Sequence, residues 1–599
     1  MIYHCEDHTC NYWDEGEKLP ERCPQCGRKL LRANEADMTG DDWTALGNTL
    51  WDAEASDKKR MVDCFRKAAY LGSAWGVCNL GICMEQGNGV EADPVQAFWL
   101  YQQAVEMGSL NAVCCLGVCY QYGIGTAPDA EKAAELYCKA AEYGSPRGQM
   151  LLAHAFHDGI GVEADAAEAV HWVRAAAYQR YGEGMYWLGV CYEYGDGVEQ
   201  NWEHAVHWFR EAAESGVSVA MTDLGYCYEK GCGVEQSWEQ AFSWYRRGAE
   251  CGDLRSMHNL GYCYEKGRGV EQSWEQAFSW YRRGAECGNP VSMSNLGLCY
   301  KRGYGVDQNW QEAIKWYEQG AQCGDLQCMH NLACCYERGE GVEQNEERAL
   351  YWYRRGAEAG SDYCMYCLGW NYSNGEGVEQ NMTEAIRWYT AAAEGGNADA
   401  MHNLGWLYDH GEGVEQDMKK AICWYERAAE QNHPAAMNSL GECYAMGRGV
   451  PRDLETAMEW YRRAAELGEA MADYNMGWHL EQAGKLSEAY AHYRKAADGN
   501  DDSAWWALGR FYENGVVVAQ DGKEARRCYE TGEKLGSVKC KMRLARCKLL
   551  GIGGRRAKKA GLDLCRQALE LAKESSEKED YGYEAEMNLL RRTIAENES

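Results

Sequence analysis

The sequence predicts an all-α fold, a solenoid of about fifteen helical hairpins, and three observations carry that expectation. The chain repeats itself: the stretch Gly225 to Gly252 returns at Gly261 to Gly288 with one change, Cys232 to Arg268. A Leu-Gly, Leu-Ala or Met-Gly pair then recurs every 36 residues, at Leu80, Leu116, Leu152, Leu188, Leu224, Leu260, Leu296, Leu332, Leu368, Leu404, Leu440 and Met476. Leu46, Leu508 and Leu544 extend the series with steps of 34, 32 and 36. A fixed period of this size marks an array of supersecondary units. Within each unit the apolar residues fall at helical spacing twice over, so each unit reads as two helices.

Bulk composition agrees with a long, well-packed array and excludes several functions. The chain has 599 residues, 46 % of them hydrophobic and 12 % aromatic, which is ample for burial. Stacked units touch only their neighbours, so no single core has to grow with chain length. Lys and Arg number 61 against 92 Asp and Glu, a net charge of −31. That field repels phosphate backbones and anionic lipid, which argues against nucleic acid and membrane surfaces as partners. No apolar run approaches the length of a membrane span, and the N-terminus lacks the basic and apolar regions of a signal peptide. Most repeat cysteines (Cys83, Cys119, Cys191, Cys227, Cys263, Cys299, Cys335, Cys443) sit three residues after the anchor leucine. There they read as small buried hydrophobes, and pairing of Cys251, Cys287 or Cys323 with them is disfavoured. A reduced, cytoplasmic protein is expected.

Residues 1–34 differ in kind. Cys5 and Cys10 form one thiol pair and Cys23 and Cys26 another, with Gly27 following the second. Four soft ligands suit tetrahedral Zn²⁺, and a Cys-x2-Cys turn offers two of them from one tight loop. Spacing leaves His8 as an alternate ligand. The Cys23-Pro-Gln-Cys26-Gly27 turn resembles the zinc-ribbon family, over this segment alone. A structural Zn²⁺ is expected, because four protein ligands leave no open position for water.

The repeats run over 35–556. In the unit starting at Arg255, Met257, Leu260, Gly261 and Tyr264 share one face of a first helix. Gly267 and Gly269 supply positive-φ positions where it ends, and Val270 seals the turn. Ser273 caps a second helix, with Gln276 placed to complete a capping box; Asn201, Asn309, Asn345, Asn381 and Asp453 hold the same place. Ala277, Tyr281, Gly284 and Ala285 form the second stripe, flanked by Phe278 and Trp280, and Gly288 ends it. Neither stripe is covered inside one hairpin, so neighbours supply the rest. At Gly484 to Ala489 four residues are missing and the loop shortens. Over 557–599, Leu562 to Lys573 and Ala585 to Ile594 read as capping helices separated by the charged run Glu574 to Asp580.

These strings carry a resemblance. Asn259-Leu-Gly-x-x-Tyr264, Gly267-x-Gly-Val270 and Ala277-x-x-Trp-Tyr-x-x-Gly-Ala-Glu-x-Gly288 resemble the Sel-one-like repeat, a relative of the tetratricopeptide repeat, over some 500 residues. The resemblance implies a right-handed α/α superhelix that serves as a protein-interaction scaffold, with first helices lining its concave wall.

Motifs for chemistry are sparse. The Gly-x-Gly loops follow helices and lack the third glycine of a dinucleotide site. His154 with His157, and His204 with His207, lie at helical spacing, but neither pair has a neatly spaced carboxylate or thiol partner. The recurring Glu229, Glu265 and Glu337 read as a solvated helix face. If first helices line the groove, the residues two before and two after each anchor leucine point into it. Tyr366, Trp370, His402, Trp406 and His410, with Trp478 beyond, then form an aromatic binding surface of the kind that makes interaction hot spots. The expected function is a non-catalytic adaptor holding a peptide or protein segment in that groove. The alternative is a hydrolase or carbohydrate-active protein using groove carboxylates and aromatic stacking.

Overall fold

The 36-residue stride has a simple anatomy. A first helix Leu254–Lys266 and a second helix Trp274–Glu286 each have 13 residues. A seven-residue loop joins them, and three residues lead to the next helix at Pro290. The computed structural model describes residues 2–5, 13–15, 30–32, 35, 38–51, 55–578 and 584–598. It forms two compact units, residues 1–309 and 310–599.

In the first unit a small antiparallel sheet precedes the helices. Strand Ile2–Cys5 lies in the middle, paired with Trp13–Glu15 (Ile2 opposite Glu15) on one side and Leu30–Arg32 (Cys5 opposite Leu30) on the other. From Gly40 onward every described element is helical, as the repeat predicts. Of the expected metal ligands, Cys5 ends the central strand; Cys10, Cys23, Cys26 and the alternate His8 lie outside the described residues. Seven hairpins follow, from Gly40–Thr49 with Ala55–Tyr70 to Leu254–Lys266 with Trp274–Glu286, and then the helix Pro290–Arg302. The second unit opens with the helix Trp310–Gln322, continues through seven hairpins and ends on a single helix, Glu584–Glu598.

Each hairpin closes on one glycine and one ring. Tyr281 lies flat on Gly261, so close that a Cβ there would come within 2.6 Å of the ring; Tyr245 covers Gly225 in the same way. Leu260 and Tyr281 are fully buried. A buried phenol needs a partner for its hydroxyl. Tyr281 donates to Glu265 (2.8 Å), and Tyr101, Tyr245, Tyr353, Tyr493 and Tyr529 donate to Glu85, Glu229, Glu337, Glu481 and Glu513. The recurring glutamates are therefore not a merely solvated face. Each ties the far end of one helix to the ring of the next, and burial pushes these phenols well above their usual range.

The two loop glycines do different work. Gly267 is the left-handed residue (φ 66°) that ends the first helix. Gly269 (φ 69°) seats the loop on the preceding hairpin, where a Cβ would collide with the carbonyl of Trp238. Ser273 accepts from the Gln276 amide, but its own backbone N–H donates to the Tyr264 carbonyl (3.0 Å), so it is not left for the reciprocal arm expected from Gln276. From Cys64 to Cys565 the cysteines carry thiols and not disulfides, and those three after the anchor are buried. The deletion leaves a three-residue loop between Ala470–Gln482 and Leu486–Asp498, whose N-cap Lys485 makes no side-chain cap bond. At the C-terminus, Lys558–Lys578 pairs with Val538–Leu550 as the second helix of a hairpin and continues through Glu574 to Lys578, part of the charged run expected to interrupt it. Glu584–Glu598 packs on both, tied by a buried ion pair between Arg543 and Glu586 (2.7 Å).

Candidate functional site

Residues two before and two after the anchor leucine lie four apart on one helix, hence on one face. The structure gives them different roles. The earlier position packs on the hairpin's own tyrosine: Tyr366 on Tyr389 (5.9 Å between centroids), His402 on Tyr425 (5.7 Å) and Tyr474 on Tyr493 (5.6 Å). Tyr366 and His402 are thus largely core. The later position stays open. Trp370, Trp406 and Trp478 are 45, 40 and 44 % exposed, and Tyr226 occupies the same register in the first unit.

Neighbours one turn on hold two of these tryptophans. His410 stacks on Trp406 (4.3 Å, 22° between planes), its Nδ1 at 3.0 Å from the Trp406 carbonyl oxygen. Asn374, at the equivalent place, donates to the Trp370 carbonyl (3.0 Å). Trp478 meets His479 edge-on at 4.8 Å, and His479 stacks on Tyr461. Between Trp406 and Trp478 the register carries Glu442 instead. Arg448, from a Gly-Arg-Gly loop, reaches Asp409 (2.9 Å) and Glu442 (3.7 Å), while Asn438 and Asn475 donate to Glu442. Burial holds the Glu442 carboxyl above its usual range. The aromatic register is therefore broken by a polar cluster. Arg448 is a loop residue that helical spacing had no means of flagging.

Under Trp406 lies a cluster of ring nitrogens. His402 stacks on His433 (5.1 Å) and approaches Ser439 (3.4 Å). His433 caps the next helix by accepting from the Ala436 amide, and its other nitrogen faces Asp399 (3.2 Å). Burial, helped by the charge on His433, lowers His402 to about 4.

Reactive constellations are scarce. Burial raises Cys227, Cys263 and Cys299 to about 12, which makes them inert thiols. Glu193 beside Asp223 is a pair of acids raised by burial, the arrangement a hydrolase would need, but Arg255 (3.1 Å) and the Tyr186 hydroxyl (3.0 Å) engage Asp223. Among the described residues no group of three or more His, Cys, Asp or Glu is placed to hold a metal ion, His154 with His157 and His204 with His207 included. No described helix is long and apolar enough to cross a membrane.

Comparison with known proteins accounts for the architecture. The Sel1 repeat model matches thirteen consecutive segments: 76–109, 112–145, nine running without a break from 146 to 469, then 470–501 and 504–537. Among solved structures, the chain is 32 % identical to c5321, a protective antigen present in uropathogenic Escherichia coli strains displaying an SLR fold. That match covers 75 % of this chain and 97 % of the antigen, with a TM-score of 0.52. A Sel1 repeat protein from Oxalobacter formigenes is also 32 % identical, over 41 % of this chain and 99 % of its own, with a TM-score of 0.39. No curated protein matches the chain.

Proposed function

The chain belongs to the Sel1 repeat family, whose members generally mediate protein–protein interactions and are typically non-catalytic, and from that premise we propose that it is a non-catalytic adaptor. It holds a peptide or protein segment against the first-helix face of residues 366–410, with Trp478 as an outlying contact. The observation that carries this reading is the row of half-exposed tryptophans at one register, Trp370 and Trp406, each with a neighbour bonded to its carbonyl. Rigid, part-buried aromatics lose little entropy on binding and supply large contact area, which is why they dominate interaction energies. Tyr366 and His402 support the surface from below.

The test is a display selection for peptides binding the full chain, followed by titration of the selected peptide. Trp370→Ala with Trp406→Ala is expected to weaken binding at least a hundredfold (about 2.7 kcal/mol or more for a hot-spot pair) while helicity stays unchanged. Unaltered affinity would remove this face as the site.

We extend the reading to the N-terminal segment and the compartment. Cys5, Cys10, Cys23 and Cys26, with His8 as the alternate, hold one structural Zn²⁺; the chemistry of two thiolate pairs supports this. The many free thiols fit a reducing, cytoplasmic setting.

A further inference from the structure

One hairpin of the first unit lacks its ring. Six of the seven hairpins in residues 1–309 fill the space over the anchor glycine with an aromatic side chain: Phe65, Tyr101, Tyr137, Phe209, Tyr245 and Tyr281. The hairpin Pro146–Asp158 with Ala166–Tyr178 has Val173 there, and Ala153 in place of the glycine. The exchange trades a ring for two methyls, and a cavity of about 400 Å³ opens at that place.

Its surroundings are those of a tyrosine slot. Ala153, Val170 and Val173 form an apolar floor, and Trp187 and Tyr194 of the next first helix stand as walls. Trp187 is braced edge-on by His154 at 5.1 Å. At the position where other hairpins carry the glutamate that accepts the phenol hydroxyl, this one carries His157. His157 bridges Asp158 (2.6 Å) and Asp196 (3.2 Å), so carboxylate acceptors remain at the rim. We propose that this cavity binds a tyrosine side chain presented by a partner polypeptide, which takes the place of the ring this hairpin has lost.

The rim decides between a phenol and a basic side chain. Both carboxylates are already engaged by the His157 ring, at 2.6 Å from Asp158 and 3.2 Å from Asp196. A lysine or arginine would have to displace that ring to pair with them, whereas a neutral phenol needs only one remaining lone pair and fills the apolar floor with its ring. Ala153 does not close the slot to a ring: Ala333 stands at the same position in the second unit, with Tyr353 fully buried in its hairpin. All these residues lie in 1–309, so the proposal stands or falls independently of the tryptophan face.

The experiment titrates the full chain with p-cresol, toluene, N-acetyl-tyrosinamide and N-acetyl-argininamide, followed by the indole resonance of Trp187. Saturable binding of p-cresol and the tyrosine amide is expected, with p-cresol about fivefold tighter than toluene for its added hydrogen bond. Val173→Tyr should abolish binding by filling the slot from within. Should that variant fold poorly, Ala153→Gly with Val173→Tyr restores the pair used by the other hairpins and must give the same loss. Absence of saturation, a stronger response to the arginine amide, binding of p-cresol without the tyrosine amide, or unchanged binding in the filled variants would each overturn the proposal.

Discussion

Val517 is a β-branched residue in the left-handed region (φ 64°), at the position of the second loop glycine. Elsewhere that glycine nestles on the preceding hairpin, but here the preceding hairpin is the one that lost four residues of loop. Its side chain is 47 % exposed, so the Cβ has room while the backbone torsion still costs free energy. A left-handed non-glycine residue costs roughly 1–2 kcal/mol, part of which glycine returns as entropy of the unfolded chain. Val517→Gly is expected to gain about 1 kcal/mol, read as a higher denaturant midpoint for the C-terminal unit. A loss of stability would show that the loop is not strained.

His402 gives the array a pH dependence at the same scale. Its folded value near 4 lies below the ordinary 6.5, because burial and His433 disfavour the cation while Asp399 opposes them only in part. The unfolded chain takes up a proton between pH 6.5 and 4 and the folded chain does not, so stability is intact above 6.5 and falls through that window. The full shift corresponds to roughly 3 kcal/mol. His402→Gln should flatten the melting temperature of the second unit between pH 7 and 4.5; an unchanged slope would assign the acid sensitivity to other groups.

At the scale of the element, the loop is what converts a hairpin into a repeat. The glycine that ends most second helices and the second glycine of most loops both have positive φ, yet they differ in surroundings. A Cβ on Gly288 meets nothing within 4 Å, while one on Gly269 collides with the Trp238 carbonyl. Gly288→Ala should therefore cost about 1 kcal/mol, the left-handed term alone. Gly269→Ala should cost about 1–3 kcal/mol more, because two backbones must separate. Equal melting temperatures for the two variants would mean that the loop does not seat on its neighbour. Asn432 and Asn500 already stand at the first kind of position, as that difference requires.

For the whole molecule, nearest-neighbour packing keeps damage local. If the N-terminal thiols hold zinc, metal analysis of the purified chain should find one Zn²⁺. Chelation should then unfold residues 1–34 while the main melting transition of the helices stays in place. Metal-free protein with four reactive N-terminal thiols would remove the site, and loss of the helical transition on chelation would make the segment a cap on which the array depends.

Much of this molecule was legible because a repeated sequence reports its own constraints. Leu260, Gly261, Tyr281, Ala277 and Ala285 share stripes with period 3.6, and the positive-φ glycines recur every 36 residues, so helices, loops and core followed from spacing. Tertiary structure decided what spacing does not encode. Two positions four apart on one face, such as His402 and Trp406, look equivalent along the helix. One is roofed by the tyrosine of its own hairpin, and the other stacks on His410 and stays 40 % exposed. The glutamates looked like surface until the phenols reached them, and Val173 looked like one more apolar residue until the missing ring left a cavity. Periodicity fixes the direction in which a side chain leaves its helix; only the helices packed around it fix whether it meets a ring, a carboxylate or open space.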